Sequence, residues 1–112
     1  MSKEHVVEIF VNGWSIQQLQ RAMDRLWVRH NQACVRKIVC SHERRRELIH
    51  AMDLERRLIG YHSPNLDCEV TVQAERYFAP DRAALIPDDE NATEWFNFKT
   101  GLLETADGVV VV

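Results

Sequence analysis

Residues 34–60 read CVRKIVCSHERRRELIHAMDLERRLIG, and their character changes in the middle. The first seven are short, apolar at both ends and β-branched at Val35, Ile38 and Val39, which predicts a strand over 34–40. Ser41 is a helix-capping residue, and apolar side chains then recur at three- and four-residue steps up to Ile59. Gly60 follows as a left-handed C-cap, and Pro64 prevents continuation. A strand leading directly into an amphipathic helix over 42–59 places sheet and helix in the same small unit.

The flanking sequence extends that unit. HVVEIFV (5–11) is β-branched and stops at Asn12-Gly13, the signature of a strand ending in a turn. Ser15 with Gln18 forms the capping-box pattern, and Ile16, Leu19, Met23, Leu26, Trp27 and His30 make one stripe, so a helix is expected over 16–30. After the SPNLD turn (63–67), CEVTVQAERYF (68–78) alternates Val70, Val72 and Ala74 with Thr71, Gln73 and Glu75, a half-buried strand. AALI (83–86), EWFNF (94–98) and GVVVV (108–112) read as further strands, and PDDENAT (87–93) as a polar loop. The order β-α-β-α-β-β-β-β predicts one α+β or α/β domain over 1–112, with two helices on a mixed or antiparallel sheet of four to six strands. At 112 residues and 46% hydrophobic, the chain can bury a core of its own.

The net charge of −3 conceals two opposed halves: residues 1–60 carry +4 and residues 61–112 carry −7. Such halves pair within a fold, between copies or with separate partners. No run reaches the ~18 apolar residues of a membrane span, and MSKEHVVEIFVNGW lacks the apolar core of a secretory signal. A cytoplasmic location, or an intracellular one before assembly into a particle, is the expectation.

Several chemistries find no support. The glycines at 13, 60, 101 and 108 occur singly, so neither a P-loop nor a dinucleotide loop can be assembled, and no cofactor is expected. None of Ser2, Ser15, Ser41 and Ser63 sits in a nucleophile elbow. In a strand, Cys34 and Cys40 stand about 20 Å apart, too far for one zinc ion or a disulfide. They are expected, with Cys68, to be small buried apolar groups. His30 suits the negative end of its helix, and Asp88-Asp89-Glu90 lacks the spacing of a calcium loop. No catalytic residue is nominated, and the chain is read as a non-enzymatic protein.

The 42–59 helix holds what functional signal there is. With Arg44 at 0°, its apolar residues span an arc about 160° wide. Arg45 and Arg56 flank that arc, and Arg46 and Arg57 lie on the outer face, so the four form a ribbon that faces solvent, a protein partner or phosphate. Asp53 falls inside the ribbon and neutralises part of it. Arg44 and Glu55 fall inside the apolar arc, about 16 Å apart along the helix. Either the helix kinks around Met52-Asp53 or these groups meet opposite charges on another element, and an interface with another protein would supply them. Base reading is disfavoured, because no Asn, Gln, Ser or Thr stands beside the arginines.

A strand ending in Ser41, a helix, and then CEVTVQAERYFAPDRAALI (68–86) resemble the strand–helix–strand part of the axial domain in HK97-type phage capsid subunits. The resemblance covers about 50 residues without a diagnostic motif, and it implies a virion or assembly component. The leading expectation is a structural or interaction protein acting through self-assembly or a protein partner. Nucleic-acid contact through Arg45, Arg46, Arg56 and Arg57 is the alternative.

Overall fold

The computed structural model describes residues 8–59 and 70–111, with backbone only at 56, 58 and 59. The expected strand residues 5–7, the Gly60 cap, the 63–67 turn, Cys68 and Val112 lie outside the described residues. Two helices pack on a five-stranded mixed sheet, an α+β arrangement. A short antiparallel hairpin, β1 (Phe10–Val11) and β2 (Trp14–Ser15), precedes helix α1 (Ile16–Arg29). Strand β3 (Val35–Cys40) leads into α2 (His42–Ile59), and β4 (Thr71–Ala74), β5 (Arg82–Pro87), β6 (Glu94–Asn97) and β7 (Leu102–Glu104) follow. In space the strands run β4-β3-β5-β6-β7. The β3–β4 pair, joined through α2, is parallel; every other pair is antiparallel.

Local chemistry sets the helix starts. Ser15 accepts from the Gln18 N–H at 3.2 Å while the Gln18 side chain accepts from the Ser15 N–H at 3.0 Å, completing the capping box. Ser41 Oγ accepts from the Arg44 N–H at 3.2 Å in the same way. Along α1, Ile16, Leu19, Ala22, Met23 and Leu26 are buried. That arc is centred on Leu19 and Leu26, so Trp27, expected inside it, lies at its margin and is exposed.

Register then decides the faces. Ile38 lies opposite Leu85, Leu85 opposite Glu94, and Phe96 lies between Ala83 and Leu103. Together with Cys40 these residues form the face that meets Leu48 and Ala51 of α2 and the buried arc of α1. The other face carries Val39, Ala84, Trp95 and Glu104 in one row. Neither helix covers it, yet Val39 and Ala84 are buried. The strand expected over 68–78 accounts for part of this, because it stops at Ala74. Tyr77 takes a left-handed φ of 65°, and Phe78 stacks on Trp95 with centroids 5.7 Å apart. No helix among the described residues is long and apolar enough to cross a membrane.

Candidate functional site

The residues singled out in the sequence separate in space. Arg45 Nε donates to the Val72 carbonyl at 3.1 Å, and Arg57 pairs with Asp53 at 3.1 Å, the spacing expected of that helix. Arg46 is exposed, and the Arg56 side chain lies outside the described residues. The ribbon is therefore partly engaged in holding the chain's own backbone and its own carboxylate.

Arg44 finds its partners inside the chain. Its guanidinium bonds Glu47 at 2.8 Å, Asp81 at 3.2 Å and the Pro80 carbonyl at 2.7 Å, and lies 4.7 Å from the Phe98 ring centroid. Glu47 in turn accepts from Trp14 Nε1 at 2.8 Å and from Asn12 at 2.8 Å. Lys99 reaches Asp81 at 3.3 Å. This network ties the β1–β2 hairpin, α2, the turn before β5 and the turn after β6 to one another. Burial pushes the Glu47 carboxyl up, but the hydrogen bonds from Trp14, Arg44 and Asn12 and the Arg44 charge outweigh it, leaving the group below its ordinary value. Glu55, 2% exposed, faces α1, where the Gln17 amide approaches it at 3.5 Å. The two misfits of the helix wheel thus meet other elements of the same domain.

A second buried carboxylate was not singled out in the sequence. Glu94 Oε1 takes Arg29 Nε and His30 Nε2, each at 2.7 Å. His30 also ends α1, donating its N–H to Leu26 O at 3.0 Å. A carboxylate at that point of the alternation in β6 faces the helices, and it is satisfied by the last turn of α1.

The cysteines differ from the expectation that both are buried. Cys40, at the end of β3 and just before the α2 N-terminus, is buried, whereas Cys34 precedes the strand and is exposed. Burial raises the Cys40 thiol to about 11, against the lowering effect of Arg45 and Arg44. It is therefore no nucleophile at neutral pH. Iodoacetamide on the folded chain will label Cys34 at least ~100-fold faster than Cys40, as read by peptide mass mapping. Comparable rates would show that Cys40 is not sealed in the core. Among the described residues no group of His, Cys, Asp and Glu forms a metal site; Asp88 meets Arg36 at 3.4 Å and Asp89 caps the turn at Glu90–Ala92.

The sheet's two edges are built differently. At β4, the Glu75 N–H donates inward to Cys40 O at 2.9 Å, so alternation turns the Val72 carbonyl outward, where Arg45 covers it. At the far side, residues 109–111 fold back on β7. Val111 N–H donates to Leu103 O and Thr105 N–H to Val109 O, each at 2.8 Å, and Val110 lies opposite Glu104. Val110 therefore points its own N–H and C=O away from the sheet. Of the GVVVV strand expected over 108–112, the described residues form a single bridge, Val110 to Glu104, and Gly108 belongs to the turn before it. This short edge is flanked by exposed apolar groups on both faces: Val28 (73%) and Val109 (62%) on the helix side, Leu102 (45%) and Val110 (41%) on the other. Comparison with known proteins found no matching family model, no similar curated protein and no similar solved structure.

Proposed function

We propose that the chain is a non-enzymatic interaction protein that binds another polypeptide by strand addition at its 109–111 edge. The observation that carries this reading is the asymmetry of the two edges. At β4 the outward Val72 carbonyl is covered by Arg45, while the other edge, among the described residues, presents an outward N–H and C=O between four exposed apolar side chains. Unpaired edges of that kind accept strands. An assembly component, as the capsid resemblance implies, is one form the reading takes. The arginine ribbon supports nucleic-acid contact less well, because Arg45 and Arg57 already hold Val72 and Asp53.

Titration with a soluble peptide of alternating valine and threonine tests the edge. Binding is expected, and Val110→Pro should abolish it, because proline removes the outward N–H while leaving the inward bonds of Val109 and Val111. A peptide that fails to bind, or that binds the variant equally well, would refute strand addition.

A further inference from the structure

Resting on that reading of the edge, we infer that the added strand is acidic on one face, setting an aspartate or glutamate beside Val111, where its carboxylate meets Arg25 and Arg29 of α1. Directly opposed residues of paired strands send their side chains to the same side of a sheet. A residue laid opposite Val110 therefore points away from the helices. Its two neighbours, opposite Val109 and Val111, point toward α1, since Val111 belongs to the core that α1 covers.

The surface they meet there is cationic. Between Val111 and α1 lies a shallow concavity of about 370 Å³, bordered on the helix by Arg21, Asp24, Arg25, Val28 and Arg29. The three arginines stand four residues apart and share one flank of the helix. Two of them touch carboxylates of the chain itself: Arg21 Nη1 meets Glu8 at 2.9 Å, and Arg29 Nε meets Glu94 at 2.7 Å. Glu94, its side chain 4% exposed, takes only Nε, so among the described residues Nη1 and Nη2 of Arg29 keep no partner while that side chain stays 45% exposed. Arg25 is exposed and has no ion pair or hydrogen bond among the described residues. Asp24 already has an interaction inside the chain, and adjacent residues of a helix do not face each other. A guanidinium offers a carboxylate two parallel donors, so Arg25 is an unfilled clamp beside the edge. On the sheet's other side the edge offers Leu102 and Val110, which suits a partner whose second face is apolar.

Three peptides of equal length, alternating valine with glutamate, threonine or lysine, test the inference by titration calorimetry. The net charge of −3 favours the lysine peptide at long range, so the sign of the preference is diagnostic. At about 0.15 M salt, where exposed charges beyond about 8 Å are largely screened, the glutamate peptide is expected to bind about 3- to 10-fold tighter than the threonine peptide, and the lysine peptide more weakly than either. Arg25→Glu, at an exposed position, should leave the unfolding midpoint unchanged and abolish the preference for glutamate over lysine. Val110→Pro should abolish binding of all three. Binding of the threonine peptide with no gain for glutamate would overturn the acidic partner and leave strand addition standing. A glutamate preference that survives Arg25→Glu would overturn the arginine site in the same way. Failure of all three peptides would overturn both readings.

Discussion

Arg44→Met is expected to destabilise the fold by about 3 kcal/mol and to lower the melting temperature by roughly 10–20 °C. The guanidinium is only 12% exposed and serves three acceptors and one aromatic face at once. Methionine fills the volume of the stem but leaves Glu47 as a carboxylate 13% exposed, retaining only its neutral donors, Trp14 and Asn12. Removing one partner of a buried pair is harsher than removing both, because the surviving charge is left uncompensated. Glu47→Gln in the Arg44→Met background should therefore recover about 1–2 kcal/mol, since the amide oxygen still accepts from Trp14 without a buried charge. Denaturant unfolding of the four chains gives the coupling directly, and strict additivity would show that Arg44 and Glu47 do not act as a unit.

The same network sets the acid limb of stability. The folded Glu47 carboxyl lies below its ordinary value of 4.5, so protons bind the unfolded chain more readily than the folded one. Its contribution is present above pH about 4.5 and is lost as pH falls through the folded value. In Glu47→Gln the slope of unfolding free energy below pH about 4.5 should be shallower; an unchanged slope would place the acid sensitivity on other carboxylates.

Trp14→Ala should be the most damaging single truncation, at about 3–5 kcal/mol, a large share of the 5–15 kcal/mol available to a domain of this kind. The indole is fully buried, edge-on to Phe98 at 5.0 Å and to Phe96 at 6.2 Å, and its N–H reaches Glu47. It is also the anchor of the hairpin that leads into α1. Trp14→Phe separates the two roles. It keeps most of the ring packing and loses the charge-assisted hydrogen bond, for about 2 kcal/mol. Urea melts followed by circular dichroism measure both variants; a Trp14→Ala loss below about 1 kcal/mol would be incompatible with this side chain closing the core.

What could be read from the sequence was what neighbouring residues decide among themselves. The Ser15–Gln18 box, the Ser41 cap, the start of α2 and the alternation of Val72 and Ala74 with Thr71 and Gln73 all rest on contacts within a few residues. So did the oddity of Arg44 and Glu55, because a helix wheel needs only its own segment. The answer to that oddity was not local: Asp81, Pro80, Phe98 and Gln17 lie far along the chain and are brought to α2 only when the sheet forms. The early end of β4 also depended on a distant residue, since Phe78 leaves the strand to stack on Trp95.

The candidate site shows the division most clearly. A run of valines at 109–111 announces a strand, and the four arginines of α2 announce a charged surface, from composition alone. Which strand stands at an edge, which edge carbonyl an arginine covers, and which valine points its N–H outward are properties of strand order and register. Sequence periodicity fixes which side chains share a face. Hydrogen-bond pairing between distant segments fixes which backbone groups remain unpaired, and only the folded chain sets that pairing.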